Sequence, residues 1–401
     1  MTNVDAITTE SVVVQRLPGG GWPAVVVVGL GTFTVVTSEM LPVGLLTSIS
    51  ASLGVSEGVA GLALTTTGML AMTAPFLMSL LGRLDRRRLL CALLLVVALG
   101  NLLSGLAPNF AVLAIGRILI GAGMGGVWAI SGSLGVRLVA PASVGRATSL
   151  IFSGVAVASV LGVPAGTYLG SILGWRSAFV TAAALAVVIS AAAALVVPSL
   201  PAARSVSLRE LPALLAHPPL RTGMIVVLLL VSGHFAAYTY VPPFLEQITG
   251  IGATAVSLFL LCYGIAGVAG TFGFGSVAAR APRRAILIIG VGIGASVALL
   301  AILGATVAAA AILLVLWGVS YGGVSVSTQN WTLAAAPGAR EAASAILVAV
   351  FNGAIALGAL VGGRAVDGIG VRAALWVGVG LALAAVAVAV LGRGPGLRPG
   401  K

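Results

Sequence analysis

The chain has 401 residues, of which 59% are apolar and 7% charged, with a net charge of +12 and a mean hydropathy of +1.18. A water-soluble globule needs nearer a quarter of its residues charged to coat its surface, so this composition excludes a soluble domain. Cys91 and Cys262 stand far apart in apolar surroundings, which excludes a disulfide framework and a cysteine metal site and marks both as small buried residues.

Residues 1–21 are polar, with Asp5, Glu10 and Arg16, and lack the basic start, short apolar run and cleavage site of a secretory signal. They read as a disordered cytoplasmic tail. From Trp22 onward the apolar runs predict twelve helical spans, at 22–46, 58–81, 89–107, 109–136, 146–170, 177–198, 222–246, 255–279, 285–304, 307–332, 341–366 and 371–391. Each is long enough to cross a hydrocarbon core of about 30 Å. The longest polar interruption, rich in proline and arginine, lies midway. It divides an N-terminal six-helix bundle (22–198) from a C-terminal one (222–391) through a central cytoplasmic loop (199–221), with a cytoplasmic tail at 392–401. The fold class is therefore an all-α membrane protein of two six-helix bundles.

An even number of spans puts both termini on one side. Seventeen of the 21 basic residues fall on that side, while the opposite loops hold only Arg176 and Arg372, and Arg117 and Arg364 lie within spans. Basic residues are retained in the cytoplasm, so both termini are expected there, with the protein multi-pass in the cell (inner) membrane. The charge is a topology signal and gives no support to nucleic-acid binding.

The halves also repeat. Shifted by 196 positions, residues 145–180 lie on 341–376 without a gap, matching Gly162 to Gly358, Gly166 to Gly362, Gly174 to Gly370 and Arg176 to Arg372. Gly121, Gly125 and Gly126 match Gly318, Gly322 and Gly323 at a shift of 197. Internal repeats of this kind build many secondary transporters, whose substrate site lies at the repeat interface. Gly162, Gly166, Gly170 and Gly174 form one smooth stripe on span five that lets backbones approach, and Pro164 inside it favours a bend.

Most acidic residues are in loops, but Glu39 lies late in span one. A carboxylate near the bilayer centre costs roughly 2.5–3.5 kcal/mol, so it should face protein or water, where it can gain and lose a proton. Arg117 sits about eight residues into span four, roughly 12 Å deep, at a depth similar to that of Glu39. It can pair with that carboxylate or bind helix carbonyls. The second half has no deep acid. Its polar set is His234 and Tyr238 in span seven, Tyr263 in span eight, Tyr321 and Gln329 in span ten and Asn352 in span eleven. Uncharged rings and amides suit a neutral or weakly polar ligand with ring faces. A channel would need a charged ring or filter at membrane depth, and an enzyme a cluster of nucleophiles or metal ligands. Neither pattern is present, so no catalytic residue, metal or cofactor is assigned.

Several motifs resemble those of the major facilitator superfamily, over essentially the whole chain. Gly82-Arg-Leu-Asp85-Arg86-Arg-Arg88, after span two, resembles a shortened form of that superfamily's signature loop, and Gly275 to Arg284 its degenerate partner. Arg117-Ile-Leu-Ile-Gly121 is similar to its span-four motif linked to proton transfer, and Gly162-Val-Pro164-Ala-Gly166 to the span-five motif of its antiporters. Thr37-Ser-Glu39-Met-Leu-Pro42-Val-Gly44 resembles span one of drug:proton antiporters and sugar exporters. Gly125-Gly-Val-Trp128-Ala-Ile-Ser131 and His234-Phe-Ala-Ala-Tyr238-Thr-Tyr240 resemble exporters of purine ribonucleosides. The resemblance implies a monomeric exporter of a small-molecule substrate, working by proton antiport and alternating access. A purine nucleoside or analogue is the leading substrate, with a drug or sugar next and a facilitator or importer as the other alternative. Glu39 and Arg117 would couple the proton, and His234, Tyr238, Tyr263, Tyr321, Gln329 and Asn352 would bind substrate. Asp85, Arg86, Arg88, Gly162, Pro164 and Gly166 would serve gating.

Overall fold

The computed structural model describes residues 21–73, 84–200 and 211–394. Most of the N-terminal tail, Gly82 and Arg83 of the signature loop, Arg204 and Arg209 of the central loop and the end of the C-terminal tail lie outside them. Among the described residues the chain is helical, with no strand. Eleven helices among the described residues are long and apolar enough to cross a membrane. The remaining span, described as Glu57–Ala71, leads into residues 74–83 outside the described set, so the structure is consistent with twelve.

Local chemistry sets the helix starts. Ser56 Oγ accepts from the Val59 N–H, Asp85 Oδ1 from Arg88 and Asn109 Oδ1 from Val112, each capping the helix that follows. Outward faces are apolar too: Leu195 and Phe272 are 87% and 80% exposed, which suits hydrocarbon rather than water.

Span boundaries differ from expectation where polar residues or prolines sit inside helices. Span one runs Trp22–Gly44, breaks at Leu45 and continues as Leu46–Leu53, well past residue 46. Thr47, Ser50 and Ser52 read as loop residues, but their hydroxyls bond to other groups and the helix carries on to Gly54. Span seven starts at Pro218 rather than at 222, because proline at the first helical position has no N–H to waste. Within the expected central loop, Leu211–Ala216 forms a short helix. Span five consists of Val144–Val157, a π-helical turn at Ala158–Gly162 and Val163–Leu173, so the irregularity lies directly before Pro164. Span ten breaks at Gly323 between Val307–Gly322 and Val324–Ala335.

The repeat is visible in the backbone. Among the described residues, the glycines with positive φ are Gly54 (64°), Gly174 (82°), Gly250 (75°) and Gly370 (129°). They form two pairs, Gly54 with Gly250 and Gly174 with Gly370, each separated by the repeat shift of 196. A side chain would be strained at each, so the same turns close the same spans in both halves. Packing repeats as well. A Cβ on Gly121 would strike the Thr67 carbonyl, and one on Gly318 would strike the Tyr263 carbonyl, at equivalent places in the two bundles.

Gly21 lies against Leu138 and Gly394 beside Arg283, so both described chain ends sit at one end of the bundle, here the terminal end. The four positive-φ glycines mark the other, distal end. Across the interface between halves, span two packs on span eleven and span five on span eight.

Candidate functional site

Glu39 is 4% exposed and Arg117 fully buried, both deep in the N-terminal bundle. Of the two arrangements open to Arg117, the structure shows the second, a guanidinium bound to helix carbonyls. Arg117 Nε donates to the Ala63 carbonyl at 3.0 Å, and Nη1 and Nη2 to the carbonyls of Ser38 and Glu39, both at 2.6 Å. The reason lies four residues beyond Ser38. Pro42 stands inside the span-one helix and has no N–H, so the Ser38 carbonyl has no intrahelical donor. A guanidinium with five donors fills that gap, and holds span one to span two through Ala63. Asn101 Nδ2 donates to Ser38 Oγ at 2.8 Å and fixes the same turn from span three. The Glu39 carboxyl is thereby left with a buried Oε1 that has no hydrogen-bond partner.

Across the interface, spans seven, eight and ten bring six rings together. His234 stacks on Tyr321 with centroids 3.5 Å apart and on Tyr238 at 5.0 Å. Tyr238 and Tyr263 lie at 4.8 Å, Phe235 meets the imidazole edge-on at 4.8 Å, and Trp317 at 5.3 Å. Trp317 Nε1 donates to His234 Nδ1 at 3.1 Å. Span one, which carries Glu39, touches span eight, which carries Tyr263, so the two sets of residues face each other across the interface. Span five completes the surroundings: Gly162 packs on the Thr37 side chain, and Ser159 and Val160 of the π-turn pack on Gly264, next to Tyr263. Thr37 Oγ1 and the Tyr263 hydroxyl, like Glu39 Oε1, are buried without partners. Ring faces and orphaned polar atoms from both halves thus converge at the interface, which is the composition of a small-molecule site.

The structure brings His234, Tyr238, Tyr263 and Tyr321 together across the interface from Glu39, whereas Gln329 lies apart from them. Gln329 donates to Ser344 Oγ at 2.9 Å, some 12 Å further along span ten, and Asn352 donates to the Val348 carbonyl of its own helix. Trp317 and Phe235 belong to the cluster and carry no polarity signal in the sequence, since an aromatic residue in an apolar run reads as packing.

Asp85 caps its own helix and accepts from Ser199 Oγ at 2.7 Å, so among the described residues it ties the start of span three to the start of the central loop. Its slight burial pushes the carboxyl up, but the hydrogen bonds from Ser199 and the main chain of Arg88, Leu200 and Arg87 outweigh this and hold it below the usual aspartate value. Arg86 is buried and donates its main-chain N–H to the Leu200 carbonyl, while Arg88 offers its main-chain N–H to Asp85. Gly166 packs against Leu41, as Gly162 does against Thr37, so the stripe lets span five lie close on span one.

The distal end is closed by contacts that the sequence did not single out. Asp367, at the end of span eleven, accepts from Ser56 Oγ at 2.7 Å and from the Gly58 N–H at 2.9 Å. A carboxylate from one half thereby caps the start of span two in the other, where the helix dipole favours negative charge. Gln247 donates to Glu57 at 2.6 Å, Thr47 donates to Glu246 at 3.3 Å, and Gly58 and Gly363 meet backbone to backbone. The available signal was the run Val55-Ser-Glu-Gly, a capping pattern lacking only knowledge of who supplies the second cap.

The sequence profile of the Major Facilitator Superfamily matches residues 28–340 and 224–401. Over 355 residues the chain is 34% identical to the purine ribonucleoside efflux pump NepI of Escherichia coli K12, covering 88% of this chain and 90% of that one. The same protein from Shigella dysenteriae serotype 1 matches with the same identity and coverage. In three dimensions the chain resembles the human organic anion transporter MFSD10 (TETRAN), with a TM-score of 0.66 and 20% identity over 93% of this chain and 100% of that one. It also resembles a bacterial homologue of the human lysosomal transporter Spinster in its inward-facing occupied conformation, with a TM-score of 0.66 and 17% identity, covering 91% of this chain and 93% of the other. Motifs, matched length, identity and fold agree: the chain belongs to the major facilitator superfamily, and is a multi-pass membrane transporter of small molecules rather than an enzyme.

Proposed function

We propose that the protein exports a purine nucleoside or a close analogue in exchange for protons, by alternating access around the interface between its halves. The observation that carries this reading is Glu39: a buried carboxyl with an unpartnered oxygen, beside a cluster of rings at the interface. Leaving such a group charged and unserved is costly, so it needs an exchangeable proton or a ligand donor. Flat rings stack on the faces of Tyr238, Tyr263 and Tyr321, and the identity to a nucleoside efflux pump supports a heteroaromatic substrate. The pinning of span one by Arg117 makes this arginine a positioning residue for Glu39 rather than its ion-pair partner.

The basic-residue count favours an inner-membrane protein with the terminal end in the cytoplasm and the distal end outside; the family resemblance favours a monomer. On that orientation the described state, sealed at the distal end by Asp367, Glu57 and Glu246, faces inward. Asp85, Arg86 and Arg88 at the terminal end, and the Gly162–Gly166 segment on span five, are the parts proposed to move when the outward-facing state forms. The bundle limits at 22–198 and 222–391 then mark the two rocking units.

The test is inosine movement in proteoliposomes of known orientation. Uphill export should occur only with an inwardly directed proton gradient, and equilibrium exchange should persist without one. Uphill movement that ignores the gradient would refute proton antiport, and no movement of inosine or adenosine would refute the substrate class.

A further inference from the structure

We infer that Trp317 fixes the His234 imidazole as the tautomer with its proton on Nε2, so that His234 is a hydrogen-bond donor at the ligand site and not a proton carrier. The indole N–H can only donate, and it points at His234 Nδ1 from 3.1 Å. Nδ1 must then keep its lone pair, and the single proton of the neutral ring sits on Nε2. An imidazolium carries a proton on both nitrogens. Forming it here would set two N–H groups against each other and lose the bond. Turning the ring over would place a carbon against the indole N–H, with the same loss.

The ring cannot easily move away. Tyr321 lies flat against it at 3.5 Å and 12°, Tyr238 stacks at 5.0 Å and 20°, and Phe235 meets it edge-on at 4.8 Å. Trp317 is itself fully buried, and its neighbour Gly318 is packed against the Tyr263 carbonyl, which leaves the indole no room to retreat. The titratable groups that face the imidazole are the phenols of Tyr238, Tyr263 and Tyr321, and Glu39 is the acid on span one, which touches span eight across the interface. The charged residues on spans nine, eleven and twelve are Arg283, Arg284, Arg340, Glu341, Arg364, Asp367 and Arg372, all in the first or last two turns of their helices. No cationic or acidic side chain on those helices is placed to offset the loss of the indole bond.

The consequence for recognition rests on the ligand-site reading above. A fixed Nε2–H offers one directed donor within a box of ring faces, so it selects a flat ligand with an acceptor atom on its ring edge, as a purine has. Proton exchange is left to Glu39.

The experiment uses the full-length protein with ¹⁵N-labelled histidine in lipid nanodiscs. The chain has 2 histidines, so His217→Gln leaves a single imidazole to observe. The expected spectrum shows a protonated Nε2 and an unprotonated, hydrogen-bonded Nδ1, unchanged between about pH 6 and about pH 8. Trp317→Phe keeps a ring in place but removes the donor, and should give a mixture of tautomers or a pH-dependent signal. A proton on Nδ1, or a signal that changes with pH in that range while Trp317 is intact, would overturn the inference. If Trp317→Phe fails to fold, the titration of the protein with Trp317 intact decides alone. Inosine binding, measured in parallel in the Glu39→Gln background, should weaken at least about fivefold on adding Trp317→Phe. Failure of inosine to bind at all, with the expected spectrum present, would sink the ligand-site reading and leave the His234 tautomer standing.

Discussion

The two halves place different chemistry on the same scaffold. Applying the repeat shift of 196 to span one puts Glu39 on Phe235 and Ser38 on His234, and the shift of 197 in span four puts Arg117 on Leu314 and Ile120 on Trp317. In the first half, the deep positions hold a carboxyl, a guanidinium and the Asn101–Ser38 bond. In the second, the matching positions and their neighbours hold rings. The backbone turns at Gly54 and Gly250, and at Gly174 and Gly370, remain alike. Duplication thus preserved what shapes the helices and released what lines the interface, so that one half handles charge and the other handles ring faces. The arginines at the distal end show the same divergence. Arg176 donates to Ser52 Oγ and the Ala107 carbonyl, both at 3.0 Å, and lies 4.4 Å over the Trp175 ring, whereas its repeat partner Arg372, equally exposed, makes no such bond among the described residues.

The strongest way to break this comparison is through Arg117. Arg117→Leu removes three bonds between helices and leaves the Ser38 carbonyl without a donor. At about 0.6–1.7 kcal/mol per bond inside a membrane, the loss should reach about 2–5 kcal/mol. It is read as a lower Tm together with loss of transport. The same account makes Pro42 the cause of the vacancy. Pro42→Ala restores an N–H to span one, so Arg117→Leu should cost about 1 kcal/mol less in that background. Equal costs in both backgrounds would show that the guanidinium is not there to serve the proline.

A smaller effect is expected at the distal end. Asp367→Asn weakens a carboxylate cap that holds Ser56 and Gly58 across the halves. A change of about 1–2 kcal/mol shifts a two-state population by a factor of about 5–30. Spin labels at the exposed positions Ala51 and Ala253 should report a larger population of long distances. An unchanged distribution would mean that Asp367 does not hold this end closed.

The smallest effect concerns Asp85. Its carboxyl is held below the usual value near 3.9, so its bonds stabilise the protein above that pH and are lost as pH falls through the lowered value. Thermal stability should therefore decline slightly below about pH 4, and Asp85→Asn should remove that part of the decline. If Asp85 also serves gating, the same variant should slow transport while leaving inosine affinity within a few-fold.

Much of this architecture was legible in the sequence, and the missing parts share a cause. Span count, the repeat and the isolation of Glu39 and Arg117 follow from hydropathy, because a charge in an apolar run is conspicuous. Where Arg117 points was not legible, since it depends on a carbonyl freed by Pro42, and carbonyls leave no mark in a sequence. Trp317 was missed because its importance lies in one N–H aimed at His234. Asp367 falls just past the expected end of span eleven, among the acids in loops, and its contacts appear only when the two halves meet. Gln329 is polar within a span, as are the residues of the site, but it is bound to Ser344 further along span ten. Polarity within a span therefore marks candidates, and depth together with free valence selects among them.

The central claim is that Glu39 alone carries the proton while the ring cluster holds the ligand. Glu39→Gln, in oriented proteoliposomes with inosine as the probe, tests it most directly. The substituted protein should bind inosine and exchange it at equilibrium, yet lose uphill export under a pH gradient. Uphill export at the unsubstituted rate would contradict the claim and move the proton to another group.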